Sequence, residues 1–335
     1  MITYNLKRKE FNKNRPLDFY SEFDSFKTVD SIACALRENG HKVKLVEADR
    51  NLLRYLLRNR GKIDFIFNIA EGINGASRES QVPAILDFLG IPYTGSGVFS
   101  LALALDKAYT KRILEAEGIP TPRFQLFSTG KENLDSTLEF PLIVKPNAEG
   151  SGKGIHSSSV VQDEKDLYRQ VKRIIRRYNQ PALAEEFIDG RELTVGVVGN
   201  GRLTVLPILE IDFNSCRGSG EFFYSWRMKE FQGNVKKRLT PTFHCPAKLA
   251  PSLTRKISSL ALKSHKAIGC WDISRTDFRL DKEGRPFVLE INPLPGLDPE
   301  ESNLTLMTKA AGIEYTELID QILEAAIDRN KQSKS

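Results

Sequence analysis

The sequence predicts an α/β fold, with an open parallel sheet in about the first hundred residues and a strand-rich last third. Two observations carry this. Between residues 26 and 94, apolar runs of strand length alternate with helix-periodic segments, the pattern of strand–helix–strand units. The 335 residues also exceed what one ordinary core holds, so two or three packed domains are expected.

Taken in order, the chain starts raggedly, and then residues 26–38 place Val29, Ile32, Ala33 and Leu36 at helical spacing, with Gly40 as the stop. Residues 43–46 read as a short strand and 52–57 as a second helix. Ile63-Asp64-Phe65-Ile66-Phe67 has buried-strand length and runs into a loop with Gly72 and Gly75. A helix over 81–89 and a strand over 91–94 follow. Residues 100–117 form one strong helix ended by Gly118, with Pro120 and Pro122 beyond it. Ile143-Val144-Lys145-Pro146 is a strand feeding the glycine-rich stretch Glu149-Gly150-Ser151-Gly152-Lys153-Gly154. After a charged helix at 163–178 and a strand at 182–187, strands at 193–198, 204–211, 277–280 and 286–291 accompany a long helix at 251–268. A helix over 315–327 closes the chain, and the polar tail 329–335 is expected to fray.

Composition excludes several classes. With 40% hydrophobic and 27% charged residues the chain is an ordinary globular one. No window approaches the roughly 20 apolar residues a membrane span needs. The first fifteen residues lack the apolar core of a signal peptide, so a cytoplasmic protein is expected, with no membrane partner. The net charge of +6 is dispersed over separate clusters, Lys7-Arg8-Lys9, Lys172-Arg173 with Arg176-Arg177, and Lys236-Lys237-Arg238. These read as solvated faces and not as a nucleic-acid track. Cys34, Cys216, Cys245 and Cys270 show no CxxC spacing, and His41, His156, His244 and His265 show no paired metal spacing. Adjacent His244 and Cys245 would point to opposite faces of a strand, so neither a zinc site nor a Cys–His nucleophile is expected. Four scattered thiols fit a reducing compartment.

The most informative stretch runs from Arg275-Thr276-Asp277-Phe278 to Phe287-Val288-Leu289-Glu290-Ile291-Asn292-Pro293-Leu294-Pro295-Gly296. If residues 281–286 form the loop of a hairpin, Leu280 faces Phe287 and Asp277 lies opposite Glu290. Strand alternation then puts Arg275, Asp277, Glu290 and Asn292 on one face, and Phe278, Leu289 and Ile291 on the other. Two carboxylates and a carboxamide are hard oxygen donors that suit magnesium, which completes its shell with phosphate oxygens and water. A backbone N–H after the Pro-Gly turn is a ready oxyanion donor. The bland alternative is a surface ion pair on a charged hairpin. Lys145 and the glycine-rich stretch offer a second phosphate-binding element, since glycines let successive N–H groups approach phosphates. The stretch is not a P-loop, because Asn147 and Gly154 break that pattern. Gly95-Ser96-Gly97 is a turn, not a dinucleotide fingerprint.

Together these segments resemble the D-alanine–D-alanine ligase family of the ATP-grasp superfamily. The likeness also covers Asn68-Ile69-Ala70-Glu71-Gly72, Gln81-Val82-Pro83-Ala84, Gly90-Ile91-Pro92-Tyr93-Thr94-Gly95-Ser96, Asp106-Lys107 and Glu192-Leu193-Thr194-Val195, in one order. The resemblance implies three domains, at about 1–105, 106–190 and 191–330, with mostly antiparallel sheets in the second and third clamping ATP. It implies that Lys107 and Lys145 hold phosphates. Glu185, Glu186, Phe187 and Ile188 flank adenine, and Glu192 holds the ribose. Lys229 would reach the γ-phosphate from a lid at residues 216–237. Asp277, Glu290 and Asn292 would ligate Mg2+, for which Mn2+ can substitute, while Arg275 and the Gly296 N–H would stabilise the tetrahedral intermediate. Ser151 matches a serine of the activating network.

The implied activity joins a carboxylate to an amine through an acyl phosphate, with amino-acid or small peptide substrates and a homodimer as the family's assembly. A small-molecule kinase or a catalytically silent ATP-binding regulator would share the nucleotide site. Departures gather around the substrate. Residues 1–18 do not match the family's opening, leaving Glu22 or Asp24 to grip an ammonium. The usual histidine is Glu71, the tyrosine after the lid lysine is Glu230, and Ser302 fits only with a one-residue insertion. Carboxylates in place of neutral or weakly basic groups should favour a more cationic amine or a different amino acid.

Overall fold

The computed structural model describes residues 1–8 and 16–332. Strand β1 (Ile2–Tyr4) is the centre of a three-stranded parallel sheet, flanked by β2 (Leu45–Glu47) and β3 (Phe67–Asn68). Helices α1 (Phe26–Glu38), α2 (Leu52–Asn59) and α3 (Gln81–Leu89) connect and cover it. The ragged start therefore hides the central strand: Ile2 and Thr3 are fully buried although only three residues pair. Of the apolar run at 63–67, just Phe67 joins the ladder, and the strand expected at 91–94 reduces to a single bridge between Ile66 and Tyr93.

The helix expected over 100–117 is two helices, α4 (Val98–Leu105) and α5 (Lys107–Ala116). Asp106 leaves the helical region at φ −82°, ψ 99°, and its carboxylate accepts the Tyr109 N–H at 3.0 Å. A short acidic side chain that caps the next helix competes with continuing the first. The break brings Lys107 to the head of α5, where its ammonium enters the cleft.

A four-stranded antiparallel sheet follows, in the order β4 (Phe124–Phe127), β7 (Ala182–Glu186), β5 (Leu142–Pro146), β6 (Val160–Val161). Helix α6 (Glu164–Tyr178) covers it through Leu167, Val171 and Ile174. The last sheet has six strands: β11 (Thr242–His244), β10 (Leu209–Asp212), β8 (Arg191–Val198), β12 (Ile273–Leu280) and β13 (Pro286–Asn292) in order, with β9 (Thr204–Val205) also on β8. Pro207 splits the strand expected at 204–211, since it has no N–H to give the ladder. Helix α8 (Pro251–Ile268) backs this sheet through Ile257 and Ala261.

Helices α9 (Asn303–Ala310) and α10 (Tyr315–Gln332) bring the chain back onto α1, in a core that includes Ile32, Leu304, Leu318 and Ile322. The tail is held rather than frayed as far as it is described. Arg329 pairs with fully buried Asp272 at 3.0 Å and donates to the Tyr93 carbonyl at 2.9 Å. Residues 333–335, and Lys9 of the first basic cluster, lie outside the described residues. No helix among the described residues is long and apolar enough to cross a membrane.

Candidate active site

The β12–β13 hairpin sets the geometry of the cleft. Asp277 pairs with Glu290 and Arg275 with Asn292, as alternation predicts. The distal register differs: Leu280 faces Pro286, not Phe287, and the shift falls between Asp277 and Phe278. One extra residue, Leu289, is absorbed there as a bulge. Its consequence is local but useful. Leu289 turns toward the cleft beside Glu290, whereas Phe278 and Ile291 stay in the core as expected.

Two chambers open off this hairpin. The first is lined by Lys145, Glu185, Glu186, Phe187, Ile188, Glu192 and Asp277, with Leu289 and Phe223 as apolar walls. The second, a cavity of about 240 Å³, is lined by Ser151, Arg275, Asn292, Gly296 and Ser302. Lys107, Glu149, Tyr224, Lys229 and Glu290 border both. Every residue to which the resemblance gives a catalytic, nucleotide-binding or metal-binding role thus lies on one chamber or the other.

Charge is organised around the shared wall. Lys107, 5% exposed, lies 3.3 Å from Glu290 and donates to the Glu149 carbonyl. Burial works against the charge on Glu290, but Lys107, Lys145, Lys229 and Arg275 outweigh it and hold its pKa down to about 2. Arg275 grips Asp277 bidentately, with both nitrogens at 2.9 Å, and Thr194 donates to the same carboxylate at 2.6 Å. Asn292 accepts the Leu294 N–H at 2.9 Å, which fixes its amide. Among the described residues, no three His, Cys, Asp or Glu side chains converge as a ready-made metal centre. Two carboxylates and a carboxamide fit magnesium held jointly by protein and phosphate.

In the first chamber, Glu185 joins Lys145 at 2.5 Å and Lys111 at 2.8 Å, all three nearly out of solvent. Glu192 pairs with Arg279 at 3.2 Å, and burial raises its pKa against that cation. Phe187 is packed edge-on by Phe222 and Phe223 and covered by the Arg279 guanidinium at 4.9 Å.

The expected lid is a folded segment. It carries helix α7 (Trp226–Glu230), anchored by buried Cys216 and Met228. Trp226 donates its backbone N–H to Ile155 at 3.2 Å and its indole N–H to Ser21 at 2.7 Å. The lid thereby touches the glycine-rich loop and the N-terminal segment. Lys229 is lowered in pKa by burial and by Arg275, and it sits 4.8 Å over the Tyr224 ring. Glu230 turns out of the chamber and pairs with Lys7 at 2.7 Å, so it does not acidify the pocket.

Glu22, Asp24 and Glu71 do line the second chamber. Glu22 is neutralised by Arg78 at 2.5 Å and Lys153 at 3.1 Å, and it accepts the Gly150 N–H at 2.6 Å. Those cations outweigh the burial that opposes its charge, so its pKa falls to about 2. Lys153 falls in the glycine-rich stretch and Tyr224 in the expected lid, neither with a role of its own there, and Leu289 was expected in the core. Arg78 and Glu79 are residues of the site that the sequence did not signal. They sit in polar or mixed stretches whose burial only the fold decides.

Solved structures share this architecture. A Bacillus anthracis D-alanine–D-alanine ligase complexed with ATP superposes with a TM-score of 0.75 at 24% identity, covering 99% of this chain and 98% of that one. The fold and the two-chambered cleft together define an ATP-dependent ligase of the ATP-grasp class. A D-alanine–D-alanine ligase of Carboxydothermus hydrogenoformans is 34% identical over 91% of this chain and 94% of its own. D-alanine–D-alanine ligase B of Brucella melitensis is 33% identical over 92% and 93%. An uncharacterized protein of Sinorhizobium fredii is 37% identical over 89% and 87%. The model of the D-ala D-ala ligase C-terminus matches residues 113–324. The chain belongs to the D-alanine–D-alanine ligase family.

Proposed function

We propose that this ligase uses ATP in the first chamber and amino-acid or small peptide substrates in the second, with three functional units at about 1–105, 106–190 and 191–330. The observation that carries the reading is the shared wall: Lys107, Lys229 and Glu290 face both chambers, where a γ-phosphate and a carboxylate must meet. Glu185, Glu186, Phe187, Ile188 and Leu289 hold adenine, and Glu192 the ribose. Lys107, Lys145 and Lys229 hold the phosphates and offset the repulsion between a carboxylate and a triphosphate. Asp277, Glu290 and Asn292 would hold Mg2+, or Mn2+, which supplies further charge neutralisation at the phosphate oxygens.

The reaction proceeds in two steps. A substrate carboxylate oxygen attacks the γ-phosphorus, giving an acyl phosphate and ADP. An amine then attacks the acyl carbon, losing a proton as phosphate departs. Arg275, its plane fixed by Asp277, and the Gly296 N–H steady the oxyanion; one such donor is typically worth ~3–4 kcal/mol. Ser151 orients the first substrate. The lid, with Trp226 bound to Ser21 and Ile155, keeps water from the acyl phosphate. A cytoplasmic homodimer is the assembly proposed.

ADP release from ATP, Mg2+ and paired amino acids, with the product mass, tests this. Amide product with ADP is expected, and an Asp277→Asn, Glu290→Gln double variant should abolish both. ADP with a stable phosphorylated product and no amine requirement would mean a kinase instead.

A further inference from the structure

The second chamber gathers more carboxyl groups than the α-ammonium of an ordinary amino acid can pair with. Asp24, Glu71 and Glu79 all line it. Glu79, in the turn Arg78–Ser80, is 8% exposed. Among the described residues its carboxylate has no hydrogen bond or ion pair, and the same holds for the side chains of Asp24 and Glu71. Arg78, the cation whose charge bears most on Glu79, already pairs with Glu22 at 2.5 Å and Glu149 at 3.3 Å and donates to the Ala148 carbonyl at 2.9 Å. Lys153 is likewise spent on Glu22 and Glu149, and Lys107 on Glu290.

The chamber also has two ends. The charges that dominate at Arg275 are Asp277 and Glu290, whereas Glu71 feels Glu79, Glu22, Arg78 and Asp24. Asp298 adds to the field at Asp24, and Glu301 stands on the chamber wall. Burial, and then neighbouring acids, push Asp24 up to about 7 and Glu71 well above its usual range. Glu79 rises to about 7 by burial in spite of Arg78. Glu79 is a buried carboxyl group without a partner, with half-buried Asp24 and Glu71 on the same wall; the charged form of such a group is costly, and it calls for a cation that arrives from outside. One α-ammonium answers one of three.

We infer that one of the two substrates is a diamino carboxylate, whose second ammonium lies among Asp24, Glu71 and Glu79 while its carboxyl group faces Arg275 and Gly296. The inference rests on the ligase reading above. It differs from the family pattern at Glu71, and Glu79 adds a carboxylate that the resemblance does not assign.

The test uses the full chain with ATP and Mg2+ and both enantiomers of 2,4-diaminobutyrate, ornithine and lysine, against alanine and the apolar isostere norleucine. Amide formation is scored by ADP release and product mass. A diamino acid should exceed norleucine in kcat/KM by about 100-fold, as a buried charge partner implies. Glu71→Gln and Glu79→Gln should each compress that ratio about tenfold, and Glu71→Asp should retain most of it. In parallel, the thermal shift given by a diamino acid with a non-hydrolysable ATP analogue should exceed that given by norleucine, which covers variants that fold poorly. Preference for alanine or norleucine, equal thermal shifts, or an unchanged ratio in both Gln variants overturns the inference while the ligase reading stands. No amide product from any pair overturns both.

Discussion

Glu185→Gln gives the sharpest test of how the nucleotide chamber is held. Glu185 is 2% exposed and sits between two ammonium groups, Lys145 at 2.5 Å on one oxygen and Lys111 at 2.8 Å on the other. The Lys111 contact is a close ion pair shut away from solvent. Lys111 is fully buried, and burial pushes its pKa down to about 8 against the pull of Glu185, leaving it largely charged at neutral pH. Removing the carboxylate's charge leaves two cations facing each other across a neutral amide. Breaking a buried pair in this way costs about 3–5 kcal/mol, because the remaining charge has no solvent to turn to. At roughly 2–4 °C per kcal/mol, the melting temperature should fall by roughly 6–20 °C. Lys145 would lose its anchor as well, and ATP affinity measured by calorimetry should fall about tenfold. Adding Lys111→Met removes the orphaned cation, and it should recover part of the lost stability. A fall below about 2 °C with unchanged ATP affinity would refute the assignment of Glu185 as the carboxylate that sets Lys145.

Three further outcomes follow from the same geometry. Arg275→Lys loses the bidentate grip on Asp277, and kcat should fall about 10²–10³-fold with the ATP KM little changed, in steady-state kinetics. Trp226→Phe removes the indole bond to Ser21, worth about 1 kcal/mol, and phosphate released without amide product should rise several-fold as the lid loosens. His265, 3% exposed and 2.7 Å from the Ser274 hydroxyl, is driven down to about 4 by burial from a usual 6.5. Its folded pKa lies below its unfolded one, so the unfolded chain takes the proton first. Stability should therefore decline as pH falls from 6.5 toward 4, by on the order of 3 kcal/mol, and His265→Gln should flatten that part of a denaturation–pH profile.

What the sequence determined by itself was everything that depends on local period and order. Alternation along two short strands put Asp277 opposite Glu290 and Arg275 opposite Asn292, since side-chain direction in a strand reverses at each residue. The resemblance carried by the ordered motifs around Lys107, Lys145, the glycine-rich stretch and the hairpin implied the ATP-grasp class. Helix ends were legible where a stop residue marked them, as at Gly40 and Gly118. Tertiary structure decided what local pattern cannot encode. Three residues became the central strand because β2 and β3 close on both sides of them. Glu230, expected in the pocket, left it for Lys7 across the surface. Arg78 and Glu79 read as loop polarity, yet the fold buries both, one paired and one facing the chamber. The reason is physical: a side chain's charge is priced by the solvent and partners around it, and those come from segments distant in the chain.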